Sequence, residues 1–329
     1  MPQSSGFSGD SMPVFDFPLE QLKTYQGQNP RPADFDAYWE KALKELGSAS
    51  HKIELSAVDL GEPGTEAFDL YFKGVGGARV HAKYLRPKGS SGKAPAIVEY
   101  HGYSGNSGDF TDKLKWVKLG YSVFSLDCRG QGGLSEDVGI PVLNSLRGHI
   151  IRGIETPETF MFRFIYLDCV QLIRIAMEQP GVDPARIGVT GGSQGGGLSV
   201  AAAALEPRVA RCASCFPFLS DYRRVWDLNT SGAYEEIKDW FRRFDPLHQR
   251  EVEIFTRLGY LDIQNLAPRI KGKVLMSVGL TDQTCPPSTV YACFNKIKVE
   301  KEMMVYPDFG HEGLPGWNDA VFKFLAAMR

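Results

Sequence analysis

Apolar positions change their period several times along the chain, and each change marks an element. Residues 15–22 and 32–46 carry them at helical spacing, with Phe35, Tyr38, Trp39, Ala42, Leu43 and Leu46 forming one stripe, which predicts peripheral helices. Over 53–85 the period drops to two. Residues 67–72 and 79–85 alternate on either side of a glycine-rich turn at 74–77 and read as antiparallel strands. Residues 94–100 and 121–127 are nearly unbroken apolar runs, the pattern of strands buried on both faces, with a helix at 114–119 between them. A long helix over 160–178 is stopped by Pro180-Gly181, and a β-branched strand at 187–190 then gives way to glycines and an alanine-rich helix reaching Ala204. Residues 210–218, 273–279 and 303–306 predict three further strands, and 317–328 a terminal helix.

Strands alternating with helices imply right-handed parallel crossovers. The expected class is α/β, a mostly parallel twisted sheet with helices on both faces. Two stretches interrupt the alternation. Residues 133–159 are irregular, and 221–265 read as two or three helices, broken at Asp245-Pro246, forming a helical cap inserted between strands. Without repeats or a low-complexity linker, the expectation is a disordered tail at 1–12 and one domain over 13–329.

Composition narrows the partners. Apolar and charged fractions of 43% and 23% are those of a soluble globular protein. A net charge of -2 and a pI near 6.3 leave no basic footprint for nucleic acid or an anionic membrane. No stretch approaches the roughly 20 apolar residues of a membrane span. Residues 1–13 lack the basic and apolar regions of a secretory signal, which predicts a cytoplasmic protein. The six cysteines read as buried free thiols, because the chain is too large to need disulfides and Cys212-Ala-Ser-Cys215 has no second pair to complete a zinc site.

The chemistry centres on Gly191-Gly192-Ser193-Gln194-Gly195, a G-x-S-x-G string between a predicted strand and a predicted helix. In such an elbow the serine is held in a strained turn, and Gly191 and Gly195 leave room for strand and helix to meet. A serine hydroxyl needs a base, and the base needs a carboxylate to fix its tautomer. On this fold the order is serine, acid, histidine. Of the two histidines after Ser193, His248 lies in the helical insert and suits a solvated or capping role, whereas His311 follows the final strand. Asp282 follows the strand before that. Asp308, on the same strand end as His311, suits loop shaping, and Asp262 precedes the strand. The backbone N–H of Gln194 and that of Tyr103, in the loop after the first parallel strand, are the candidate oxyanion donors. His101 reads as a residue ordering that loop, and Arg129 as a guanidinium tying loops together rather than touching substrate.

With these residues assembled, the sequence resembles the acetyl xylan esterase and cephalosporin C deacetylase family of α/β-hydrolases. The motifs are Arg129-Gly130-Gln131, Gly192-Ser193-Gln194-Gly195-Gly196 and His311-Glu312, supported by Phe15-Asp-Phe-Pro-Leu, by Pro217-Phe-Leu-Ser-Asp-Tyr-Arg-Arg and by the segment holding Asp282. The resemblance implies a catalytic triad of Ser193, Asp282 and His311, oxyanion donors at Tyr103 and Gln194, no metal or cofactor, small acetylated sugars and cephalosporin C as substrates, and a hexamer. It likens 133–159 to an interface loop. A short acyl pocket walled by Tyr103, Phe216 and Pro217 is expected, with Arg129, Gln131, Gly191, Gly195 and Glu312 in support. The chain departs from some relatives at Ser104 and Leu314. Other readings are a hydrolase of the same fold acting on other acyl esters, thioesters or peptides, a binding protein, and an assembly protein.

Overall fold

The computed structural model describes residues 15–47, 52–89, 92–138 and 144–329. The tail expected at 1–12 and the 139–143 part of the irregular segment lie outside them. Nine strands form one sheet: β1 (Ile53–Val58), β2 (Thr65–Lys73), β3 (Arg79–Pro87), β4 (Ala94–Tyr100), β5 (Ser122–Leu126), β6 (Val182–Gly192), β7 (Arg211–Cys215), β8 (Lys273–Gly279) and β9 (Lys301–Tyr306). Their order is β1-β2-β3-β5-β4-β6-β7-β8-β9. The alternating β1, β2 and β3 pair antiparallel, and β3 joins β5 antiparallel. From β5 across to β9 every pairing is parallel. The expected mostly parallel α/β sheet is what forms.

Helices cover both faces. On one side lie α1 (Leu19–Leu22), α2 (Phe35–Gly47), α4 (Met161–Glu178) and α5 (Gln194–Leu205), whose apolar residues share one core. On the other, α3 (Leu114–Lys118) and α11 (Trp317–Ala326) pack Trp116, Val117, Trp317 and Leu325 against Ile97, Val123 and Leu275. Every residue of α5 is buried, as a helix apolar on all sides requires.

Between β7 and β8 run α6 (Tyr222–Leu228), α7 (Glu235–Phe244), α8 (Glu251–Leu258) and α9 (Ile263–Leu266), four helices where the periodicity suggests two or three. The break at Asp245-Pro246 falls where the sequence places it, and carboxylates order both that turn and the start of α9. The Asp245 carboxylate accepts the N–H groups of Gln249 and Arg250 at 2.9 and 2.7 Å, and Asp262 accepts that of Gln264 at 3.1 Å. Strand β7 stops at Cys215 instead of reaching residue 218, because Phe216 turns to φ 30° and donates its N–H to the Ser277 carbonyl at 3.0 Å. Helix α10 (Pro287–Lys296), between β8 and β9, has no counterpart in the sequence reading. Its run Thr289-Val290-Tyr291 is β-branched and aromatic, so packing against α6 and α9 decides its conformation.

Arg129 is fully buried beyond β5. Its Nε and Nη2 donate to Asp168 of α4 at 2.7 and 2.6 Å, and Nη1 donates to the Val75 carbonyl at 3.0 Å. Burial pushes the Asp168 carboxyl up, and the guanidinium opposes that. Asp168→Ala strands a buried cation, so urea melts should show a loss of about 3–5 kcal/mol in unfolding free energy. A loss below about 1 kcal/mol would show that the pair contributes no more than an exposed one.

Candidate active site

Ser193 joins β6 to α5 with φ 57° and ψ -120°, a sparsely populated conformation for a residue with a side chain. Its N–H donates to the Cys215 carbonyl at 3.0 Å, and its carbonyl accepts from Gly197 and Phe218 at 3.0 Å each. The crossing is too close for side chains. A Cβ at Gly195 would stand 2.0 Å from the Tyr100 carbonyl oxygen, and one at Gly191 would stand 2.5 Å from both that oxygen and the Gly195 carbonyl carbon. Short-range backbone contact therefore holds the serine on its turn.

Two loops from adjacent parallel strands deliver the partners. The loop after β8 carries Asp282, fully buried, whose Oδ1 accepts the N–H groups of Thr284 and Cys285 at 2.8 Å each. The loop after β9 carries His311, and the Thr281 N–H donates to the Phe309 carbonyl at 3.1 Å, tying the loops together. His311 Nδ1 lies 2.9 Å from Asp282 Oδ2, and its Nε2 lies 3.0 Å from Ser193 Oγ. With Nδ1–H donating to the carboxylate, Nε2 is left to accept the serine proton. Glu312 is exposed and accepts the Gly310 N–H at 3.1 Å, shaping the turn under His311. Asp308, by contrast, makes no hydrogen bond to His311 among the described residues.

The N–H groups of Tyr103 and Gln194 donate to no protein acceptor among the described residues. Their loops are locked by a reciprocal amide pair. Gln131 Nε2 donates to Gln194 Oε1, Gln194 Nε2 donates to Gln131 Oε1, both at 3.0 Å, and the latter oxygen also accepts the Ser104 N–H at 3.0 Å. His101 adds a second lock: Nδ1–H faces the Gly102 carbonyl at 2.7 Å while Nε2 accepts the Cys128 N–H at 2.9 Å, and burial pushes its pKa down. Ser104 sits at φ 59° with its hydroxyl donating to the Leu146 carbonyl at 2.6 Å.

Of the expected wall residues, Tyr103 and Phe216 are half-buried and Pro217 is buried. The Phe216 ring lies 4.6 Å from that of His311, and Pro217 packs beside Gly196. A cleft of about 650 Å³ lies behind the elbow, lined by Gly191, Gly192, Phe216 and Glu312 but not by Ser193. Leu314, one of the departures, lines the same cleft.

Three neighbours escaped the sequence reading. The Tyr103 hydroxyl donates to Glu236 Oε1, and the Glu236 carboxylate also accepts the N–H groups of Gly148 and Ile150 at 2.7 and 2.9 Å. Burial, and then the charge of Glu236, push the Tyr103 hydroxyl well up. Glu236 thus joins α7 and the irregular segment to the Tyr103 loop. At the start of a helix it resembles an ordinary solvated acid, and only the fold brings it to Tyr103. His149, whose ring lies 5.0 Å from that of Tyr103, is fully buried. Burial lowers its pKa from 6.5 to about 4. The Cys285 thiol lies beside the Ser193 hydroxyl. That contact lowers its pKa, but burial, the larger cause, and the charge of Asp282 hold it well above the ordinary thiol range.

A family model described as acetyl xylan esterase (AXE1) matches residues 12–328. The fold is similar to that of acetyl xylan esterase 1 from Thermoanaerobacterium sp. JW/SL YS485, with 55% identity, a TM-score of 0.92, and coverage of 95% of this chain and 99% of that one. An acetyl xylan esterase from Paenibacillus sp. R4 matches at 38% identity and a TM-score of 0.89, over 94% and 99% of the two chains. The acetyl esterase Axe7A of Xylanibacter ruminicola is 29% identical over 303 residues, 88% of this chain. The chain spans 65% of the length of Axe7A.

Glu236→Ala leaves the Gly148 and Ile150 N–H groups and the Tyr103 hydroxyl without an acceptor. Unfolding free energy should fall by at least about 1–3 kcal/mol, the cost of one orphaned buried group. Unchanged stability would show that water replaces the carboxylate. His149 makes an acid-side prediction. Its folded pKa lies below its unfolded value, so it contributes stability that is complete above about 6.5 and is lost as pH falls toward about 4. In thermal melts across this window His149→Phe should lose stability less steeply than the parent, and parallel curves would exclude the residue as the source.

Proposed function

The chain belongs to the acetyl xylan esterase family, and from that premise we propose that it is a serine carboxylesterase removing acetyl groups from small acetylated sugars. The observation that carries the reading is His311, within hydrogen-bonding distance of Ser193 on one side and Asp282 on the other. His311 Nε2 takes the Ser193 proton as Oγ attacks the acetyl carbonyl. The oxyanion is met by the Tyr103 and Gln194 N–H groups, each such donor being worth about 10²–10³ in rate. Collapse expels the sugar alkoxide, which leaves with the proton held by His311. Water, deprotonated by the same nitrogen, then attacks the acetyl-enzyme, and acetate departs as Ser193 recovers its proton. Asp282 holds the imidazole in its tautomer and stabilises its charged form. This chemistry needs neither metal nor cofactor.

The substrate side rests on resemblance and relatives. The solved neighbours are named as acetyl xylan esterases and the curated relative as an acetyl esterase, which favours acetylated xylo-oligosaccharides. Cephalosporin C presents the same acetyl ester to the same nucleophile. The acyl side is proposed to be short, with Tyr103 and Phe216 beside the nucleophile and Pro217 behind them. A cytoplasmic homohexamer, organised as one α/β-hydrolase domain with the 221–265 helices as its cap and 133–159 at the interface, completes the proposal. Hydrolysis of other short acyl esters or thioesters is the competing reading, because the same triad would serve it.

Rates on p-nitrophenyl acetate should exceed those on the butyrate and octanoate esters, and equal rates would remove the short acyl pocket. Ser193→Ala should keep less than about a thousandth of the parental kcat. A larger residue of activity would remove Ser193 from the mechanism.

A further inference from the structure

Among the described residues, Asp282, Cys285 and His311 bring a carboxylate oxygen, a thiol sulfur and an imidazole nitrogen within 4.8 Å of one another. They converge for separate reasons. Asp282 and Cys285 share one tight turn, closed by the Cys285 N–H on Asp282 Oδ1 at 2.8 Å, whereas His311 arrives from the neighbouring loop. A mixed sulfur, nitrogen and oxygen donor set suits Zn²⁺ and Cd²⁺ and is a poor one for Mg²⁺ or Ca²⁺.

The geometry lies within reach of a tetrahedral site. Bonds of about 2.0 Å to nitrogen and oxygen and about 2.3 Å to sulfur place ligand atoms roughly 3.3–3.6 Å apart, so no pair has to close by more than about 1.5 Å. Asp282 and Cys285 are fully buried, but the His311 side chain is 27% exposed. An ion can therefore enter past the imidazole, the member with most room to turn. The other five cysteines are also buried and belong to no such cluster among the described residues.

We propose that Zn²⁺ or Cd²⁺ is captured by Asp282, Cys285 and His311 and switches the esterase off. Capture exchanges water ligands of the ion for bonds to the Cys285 sulfur, a His311 ring nitrogen and an Asp282 oxygen, and releases the Cys285 S–H proton to water; where Nδ1 is the ligand, its proton passes to Nε2. The lone pair of His311 that accepts the Ser193 proton is then unavailable, or the ring is turned from its place. The inhibition rests on the triad reading above. The binding itself does not, and the two are measured separately.

The test is a Cd²⁺ titration of the full chain that follows the ultraviolet cadmium–thiolate charge-transfer band together with p-nitrophenyl acetate hydrolysis, each variant normalised to its own metal-free rate. In the parent, the band should appear as activity disappears, with one ion per chain, and EDTA should reverse both. Cys285→Ser should lose the band and need at least ~10-fold more Cd²⁺ for half inhibition. Should that variant not fold, Cys285→Ala carries the same comparison. Ser193→Ala should keep the band. If it also kept its activity, the triad reading would fall while the band still reported the site. Absence of a band in the parent, or a band and an inhibition unchanged in Cys285→Ser, overturns the proposal.

Discussion

The structure depends on the contact between β6 and α5 at Ser193. A residue with a side chain is held at φ 57° because the backbones of Gly191, Gly195 and Tyr100 pack where no Cβ fits. Strain of this kind costs of order 1–3 kcal/mol and persists only where the surroundings over-determine it. Here they do so through the carbonyl of Cys215 and the N–H groups of Gly197 and Phe218, all hydrogen-bonded to the Ser193 backbone. The result is a hydroxyl at the C-terminal edge of a parallel sheet, with the first turn of a buried helix beside it.

Everything else in the site is brought to that point by loops fastened to one another rather than left to pack independently. The Gln131–Gln194 amide pair, with the Ser104 N–H, fixes the relation between the Tyr103 loop and α5, and the Thr281–Phe309 bond fixes that between the Asp282 and His311 loops. Glu236 extends the lock outward to the helical insert through Tyr103. The site is thus hydrogen-bonded to segments distant in sequence: α7 and the segment near His149 both meet the Tyr103 side chain.

Much of this was legible in the sequence, for identifiable reasons. Strands β4, β5, β7 and β8 are almost wholly buried, and β4, β5 and β8 read as apolar runs for that reason, while chain order points to Asp282 and His311 as the partners of Ser193. Local pattern failed where tertiary contact decides. Helix α10 contains a β-branched and aromatic run, β7 ends early because of one positive φ at Phe216, and the separate last helix of the insert begins at the Asp262 cap. Glu236 and His149 carried no signal, since their partner Tyr103 is 133 and 46 residues away. Cys285 read as a core thiol, which its burial matches, but its place beside Ser193 depends on the turn after β8.

In the proposed reaction Ser193 carries the acetyl group between the two half-reactions. The direct measurement is rapid acid quench of the enzyme during turnover of p-nitrophenyl acetate, followed by intact-mass and peptide mass spectrometry. A mass increase of one acetyl group per chain is expected, mapped to Ser193 and absent after substrate is exhausted. Turnover with no adduct under conditions where deacetylation is slowed, or an adduct mapped to Cys285 or another side chain, would contradict it.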